Sequence, residues 1–177
     1  MIVMSATIDT TKLENFLGTF SSTKCLELSS TRFPLHVHYL PNVTSIIQNT
    51  LSKKVRKTLE DILEADIKGD ILIFLPGMRE IRDCESQILS LCNHFDIQCS
   101  ILHGDQDSTQ QESALGSSPL RKIILSTNIA ESSVTIPGIS IVIDSGLQRE
   151  SSYNFYSGLP EIHTAKISKA SATQRAA

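Results

Sequence analysis

The sequence predicts an α/β fold, a parallel β-sheet flanked by helices with an added β-hairpin near the carboxyl terminus. Three observations lead there. The segment 71–75, ILIFL, is apolar without alternation and is bounded by Gly69-Asp70 and Pro76-Gly77, as a central parallel strand covered on both faces would be. Amphipathic helical stretches alternate with such strands at the spacing that right-handed crossovers require. With 177 residues, 40% of them hydrophobic, the chain can bury one sizeable core but falls short of two full domains.

Taken in order, Ile2 to Met4 read as the end of a buried strand, followed by a short helix with Leu13, Phe16 and Leu17 at helical spacing and Gly18 to close it. A start on a strand end marks residues 1–30 as the expected tail of something larger. The pattern resets at 31–34, and Leu35, Val37 and Tyr39 then alternate as in a half-buried strand that puts His36 and His38 on one face. A long amphipathic helix is expected over 44–68, striped by Ile47, Leu51, Val55, Leu59, Ile62 and Leu63. Beyond strand 71–75 the pattern gives a helix over 78–93 with Ile81, Cys84, Ile88, Leu89 and Cys92 inward, then strand 97–102 and a short helix at 108–115. Strand 122–126, a polar turn and strand 141–144 follow. From Ser145 to Ile167 the chain turns polar and aromatic, which reads as a projecting hairpin with Tyr153, Phe155 and Tyr156 beside a Ser157-Gly158 turn. The last segment, capped by Ser168 or Ser171, reads by itself as a surface helix.

Composition excludes several classes. The apolar runs are far below the roughly 20 residues of a membrane helix, and the amino terminus has no secretory pattern, so the expectation is a cytoplasmic protein without a membrane partner. Sixteen Lys and Arg against nineteen Asp and Glu argue against coating nucleic acid through bulk charge, so any such contact must be local. The segment from Leu147 to Ala177 is net positive, with Arg149, Lys166, Lys169 and Arg175 against Glu150 and Glu161. The four cysteines form no C-x-x-C pair, and Cys92 with His94 is too small a set to hold a metal. No G-x-G-x-x-G follows any strand, which removes the dinucleotide reading.

Open parallel sheets bind ligands at the carboxyl ends of their strands, so function is sought after Leu75, Leu102, Ser126 and Asp144. Pro76-Gly77 opens a helix whose free N–H groups can take a phosphate oxygen, or is a plain strand-to-helix turn. Thr127 and Asn128, just past a buried strand, can hydrogen-bond a sugar-phosphate backbone without reading bases, or can cap a helical turn.

Together these segments resemble a family. Ser5-Ala6-Thr7 is similar to motif III of superfamily-two helicases, ILIFLPG at 71–77 to motif IV, and STNIAESSVTIPGI at 126–139 to motif V of the DEAH-box group. SKASATQRA at 168–176 resembles the opening of motif VI, normally Q-R-x-G-R-x-G-R, and the run from Tyr153 to Thr173 is most similar to the HrpB-like branch of DEAH-box ATP-dependent RNA helicases. The resemblance implies a RecA-like fold, with 1–30 the tail of a first RecA-like domain and 31–177 a second one. It implies an enzyme that couples ATP hydrolysis to translocation on and unwinding of RNA. The alternative is a non-catalytic RNA- or protein-binding module.

Carried over residue by residue, the resemblance makes Ser5, Ala6 and Thr7 couple domain closure, and gives Gly77, Thr127 and Asn128 to the RNA backbone. Thr135 would sense the γ-phosphate and Gln174 would help place the attacking water. Two positions depart from the family. Pro137 stands where an acidic residue meets the ribose, and Leu115 stands where an aromatic stacks on adenine, so neither contact keeps its usual chemistry. No G-x-x-x-x-G-K-[ST] and no DEAH box occurs in the 177 residues, and motif VI reaches neither of its arginine fingers, with Ala177 in place of its glycine. ATP and Mg are therefore implied for the parent enzyme with the metal site outside this chain, single-stranded RNA or another nucleic acid and the first RecA-like domain are the implied partners, and the isolated chain is expected to be inactive.

Overall fold

Two segments lack a solvent-facing side, and they lie together at the centre of the computed structural model: β1 (Asp70–Phe74) and β3 (Lys122–Ser126) pair in parallel, with Ile73 opposite Leu125. The structure describes residues 10–19, 24, 26, 34–40, 48–116, 118–132 and 136–176. β2 (Gln98–Leu102) adds to the outer edge of β3, and β4 (Ile139–Asp144) to the outer edge of β1, giving a four-stranded parallel sheet in the order β2-β3-β1-β4. All four expected strands of the sheet are present. The central pair is nearly continuous in apolar residues because helices cover it on both sides, whereas β4 alternates between half-buried and exposed positions.

One face packs against α2 (Gln48–Glu64) and α3 (Met78–His94). Val55, Leu59 and Leu63 of α2 and Ile81, Cys84, Ile88 and Cys92 of α3 bury against Ile71, Ile73, Leu75, Ile123 and Leu125. Arg56 ties the two helices, donating from Nη1 to the Gln87 carbonyl at 2.6 Å and from Nε to Glu60 at 2.9 Å. Burial raises the Cys84 thiol from its ordinary 9.0 to about 12, so it behaves as an inert apolar side chain. The other face packs Leu72, Phe74, Leu102 and Ile124 against α4 (Ser108–Leu115) and α5 (Ile129–Ser132) through Leu115, Ile129 and Ala130.

Several expectations are corrected. Leu89 is exposed, because it stands about 100° round the helix from Ile88 and the stripe is carried by positions 81, 84, 88 and 92. α2 ends at Glu64 and not at 68, since Asp66 adopts a left-handed conformation (φ 51°) and Ile67 N–H returns to the Ile62 carbonyl at 3.3 Å. α3 stops the same way, with Asp96 at φ 51° and Ile97 N–H on the Cys92 carbonyl at 2.9 Å. Residues 34–40 form no strand, and Leu35, Val37 and Tyr39 are exposed: alternation specifies two faces, but a strand needs a ladder partner, and no described strand pairs with them. The polar turn after β3 contains one turn of helix, α5. In α1 (Thr10–Gly18), Phe16 is exposed while Leu13 and Leu17 are half-buried. Ile2 to Met4 and Ile47 lie outside the described residues.

The expected hairpin is present as a separate two-stranded sheet, β5 (Leu147–Tyr153) against β6 (Pro160–Lys166), with Leu147 opposite Lys166 and Tyr153 opposite Pro160. The chain closes with α6 (Lys169–Arg175), whose N-cap is Ser168, its hydroxyl accepting from Ser171 N–H at 3.0 Å. No described helix is long and apolar enough to cross a membrane.

Candidate nucleic-acid and nucleotide interface

The crossover from β1 enters α3 on one face of the sheet, and the crossover from the neighbouring β3 enters α5 on the other. Adjacent strands whose connections part in this way leave a crevice at their carboxyl ends, the place where open α/β sheets bind ligands. Gly77 lies on one wall and Thr127 and Asn128 on the other. The walls are joined by Leu75 N–H donating to the Ser126 carbonyl at 2.8 Å.

On the first wall Pro76 and Gly77 are buried, and Gly77 is the N-cap of α3 with extended backbone and no side-chain cap. A Cβ there would stand 2.5 Å from Nε of Arg149 of β5, so a side chain at this position would require the arginine to shift. Arg149 crosses this turn to pair with Glu80 in the first turn of α3, Nη2 to Oε2 at 3.3 Å. Glu80 is buried and the guanidinium is half-exposed, so the ion pair lies across the Gly77 turn with its cationic end toward solvent.

On the second wall Thr127 is buried and its N–H reaches the Leu102 carbonyl at 3.4 Å, while Asn128 is exposed. The carbonyls of both residues accept from the first N–H groups of α5, Ala130 onto Thr127 at 3.4 Å and Glu131 onto Asn128 at 3.0 Å. Of the two side chains, Asn128 is the one open to a ligand.

Gln174 is half-buried on α6, and its neighbour Arg175 is not the surface residue the sequence suggests. The Arg175 side chain is only 1% exposed, with Nε 3.0 Å from Glu131 Oε2 and Nη1 3.0 Å from Asp144 Oδ1. Its guanidinium carbon stands 4.7 Å from the centre of the Phe74 ring. Ser171, one turn earlier on the same face, donates from Oγ to Glu131 Oε1 at 2.5 Å. Sequence reasoning missed Arg149, Glu80, Glu131, Ser171 and Arg175. The i, i+4 spacing of Ser171 and Arg175 marked a face of α6 able to bury polar groups against a carboxylate.

The remaining expected residues are dispersed. Pro137 is exposed at the amino-terminal edge of the sheet, next to Gly138, whose carbonyl accepts from Asp70 N–H at 3.1 Å, whereas α6 meets the sheet at its carboxyl ends. Leu115 packs into the second core and retains only part of its surface. Tyr153, Phe155 and Tyr156 are exposed at the hairpin tip, the last two edge to face with centroids 5.8 Å apart. Asn154 builds that tip by accepting from Tyr156 N–H and Ser157 N–H at 3.0 and 3.2 Å. Ser5, Ala6, Thr7 and Thr135 lie outside the described residues. Among the described residues no group of three His, Cys, Asp or Glu could hold a metal ion.

The helicase conserved C-terminal domain family matches residues 54–176. The chain is similar to the ATP-dependent RNA helicase HrpA homolog of Haemophilus influenzae, 36% identical over 99% of this chain and 13% of that protein. It is similar to ATP-dependent RNA helicase HrpB of Escherichia coli, 32% identical over 99% of this chain and 21% of that protein. The crystal structure of the Escherichia coli DEAH/RHA helicase HrpB superposes with a TM-score of 0.78 at 32% identity, covering 98% of this chain and 21% of that one. The chain thus spans about an eighth to a fifth of the length of these relatives.

Proposed function

The chain belongs to the helicase conserved C-terminal domain family and is homologous to the DEAH-box RNA helicases HrpA and HrpB, and from that premise we propose that it is the second RecA-like half of a motor that couples ATP hydrolysis to movement along RNA. The observation that carries the reading is the convergence of Gly77 and Asn128 on one crevice at the switch point of the sheet. In this reading residues 1–30 end the first RecA-like domain and residues 31–177 form the second. The RNA backbone lies along the crevice, with Asn128 donating to a phosphate, Thr127 holding the turn that presents it, and the Arg149 guanidinium adding charge. Contacts to backbone and not to bases suit a motor, because each step then looks like the last.

Gln174 and Thr135 report the γ-phosphate of the nucleotide, while Ser5, Ala6 and Thr7 relay closure of the two domains. Pro137 and Leu115 offer a nucleotide neither an acceptor for the ribose nor a ring for the base, so recognition rests on the phosphates. In this reading Mg is carried by the opposing domain. The hairpin tip is a strand-separating wedge whose rings stack on an unpaired base. In this reading the motor works in the cytoplasm.

The test uses the full-length parent enzyme carrying Asn128→Ala. RNA affinity and RNA-stimulated hydrolysis should fall together, by about tenfold for the loss of one hydrogen bond to a charged group, while basal hydrolysis holds. Equal loss of basal hydrolysis would move Asn128 to nucleotide sensing. Unchanged affinity would remove this crevice from the RNA path, and a parent enzyme with no ATP turnover would favour a binding module.

A further inference from the structure

The buried stripe of α3 ends on Cys92, and the chain then turns back at once. Ile97 N–H donates to the Cys92 carbonyl at 2.9 Å, which sets the start of β2 against the last turn of α3. Alternation puts Ile97, Cys99 and Ile101 on the face that packs against α3, in the same apolar cluster as Cys92. The last inward position of the helix thus meets an inward position of the strand, and the two thiols lie within hydrogen-bonding reach of each other. Both are free. Cys92 is 3% exposed, whereas Cys99 is half-buried on an edge strand whose outer side pairs with no described strand, so the pair is approached from the Cys99 side.

Cys84, eight positions earlier on the same stripe, gives the contrast. It is fully buried, and its thiol is pushed up to about 12 by that burial, with the Asp83 and Glu80 carboxylates adding to it. For Cys92 the hydrogen bond with Cys99 outweighs burial and holds the thiol below its ordinary range. The same bond, with burial, pushes Cys99 up. One member is therefore the readier thiolate and the other keeps its proton beside it, the division that lets a dithiol react in sequence.

We propose that Cys92 and Cys99 form an oxidation site, a dithiol that a peroxide converts to a disulfide stapling the end of α3 to the edge strand β2. α3 runs back from Gly77, so the site lies at the start of the parallel strands, away from the crevice, and it does not depend on the reading above. In the first step the Cys92 thiolate attacks a peroxide oxygen: an S–O bond forms, the O–O bond breaks, and the hydroxide that leaves becomes water with the proton Cys92 gave up. The Cys99 sulfur then attacks the sulfenic sulfur: the S–S bond forms, the S–O bond breaks, and the departing hydroxide takes the Cys99 proton as a second water. Two thiols lose two electrons and one peroxide gains them.

The test treats the full-length parent enzyme with hydrogen peroxide in modest excess and blocks the remaining thiols under denaturing conditions. Reduction and a second, isotopically distinct alkylating reagent then mark the thiols that had been oxidised. Cleavage at Arg82 and Arg121 leaves Cys84, Cys92 and Cys99 on one peptide, where mass spectrometry reads each label. Cys92 and Cys99 should take the second label together and to equal extent, at least about tenfold above Cys84. In Cys99→Ser, Cys92 should stop at the sulfenic acid and be trapped by dimedone; in Cys92→Ser, Cys99 should stay reduced. Amide exchange at Ile97 should slow by about tenfold in the oxidised wild type and recover on reduction with dithiothreitol. The proposal is overturned if Cys92 and Cys99 stay reduced, if all three cysteines are labelled alike, or if either is found joined to another cysteine. Cys92 carried to the sulfinic acid beside an intact Cys99 thiol overturns it too, as does unchanged exchange at Ile97 in the paired form. The wild-type labelling decides the matter even where neither serine variant folds.

Discussion

One face of this sheet and one corner of the other are held by different means. Under α2 and α3 the contact with the sheet is made by apolar side chains, with Leu59, Ile73, Ile81, Ile88, Ile123 and Leu125 all fully buried. At the far corner, where α5, α6 and the ends of β1 and β4 meet, the centre of the contact is a buried charge. Apolar packing is non-directional and tolerates substitutions that conserve volume, so the first side secures the fold while specifying little about relative placement. A buried ion network is costly to assemble and adds little net stability, but it tolerates one geometry. The difference teaches that the corner nearest the proposed nucleotide and RNA contacts is built for placement, and the opposite side for stability.

The comparison is broken most directly by removing a member of each side. Arg175→Ala strands Glu131 and Asp144 and should cost about 3–5 kcal/mol in chemical denaturation. Leu59→Ala should cost about 2–5 kcal/mol through its cavity. The two should separate in the folded fraction of the full-length enzyme, where Leu59→Ala keeps its RNA stimulation and Arg175→Ala loses it. If both lose it alike, the two sides do not differ in kind.

The hairpin sharpens the contrast, because its rings contribute to neither side. Replacing Tyr153, Phe155 and Tyr156 with Ser should leave the thermal midpoint and RNA-stimulated hydrolysis nearly intact while duplex unwinding drops, each lost stack being worth on the order of 1–3 kcal/mol. A midpoint that falls with unwinding would make the rings packing residues.

Gly77→Ala probes the seam between hairpin and sheet. The new methyl group would stand 2.5 Å from Arg149 Nε, so the arginine must shift and its pairing with the buried Glu80 is disturbed. The expected cost is about 1–2 kcal/mol, read by thermal melting. It should shrink in the Gly77→Ala, Arg149→Ala double variant relative to Arg149→Ala alone, since the clash is then gone. The smallest effect is expected on the apolar side: Asp96→Gly relieves a left-handed backbone and should stabilise by up to about 1 kcal/mol, measurable as a small rise in the denaturation midpoint.

Much of the architecture was legible because it is written locally. The unbroken apolar run at 71–75, the stripe at 81, 84, 88 and 92, and the Ser157-Gly158 turn each depend only on near neighbours in the chain, and each led to the right kind of element. The end of α2 was misjudged where an aspartate, Asp66, took the role usually given to glycine. Within the candidate site, Gly77, Asn128 and Gln174 could be singled out because strand ends and motif order name them.

By itself, then, the sequence determined the order of strands and helices, the hairpin, the family resemblance and the turns in which ligands should be sought. Only the tertiary structure decided that Arg175 is buried between Glu131 and Asp144, that Arg149 lies across Gly77, that Pro137 stands at the other edge of the sheet and that residues 34–40 pair with no described strand. The reason is separation along the chain. Periodicity and capping act over a few residues, whereas Arg175 meets Asp144 across 31 positions, Glu131 across 44, and Arg149 meets Glu80 across 69. Which distant charges become partners is set by the strand order β2-β3-β1-β4 and the faces its crossovers take, and no pattern of nearby residues encodes that.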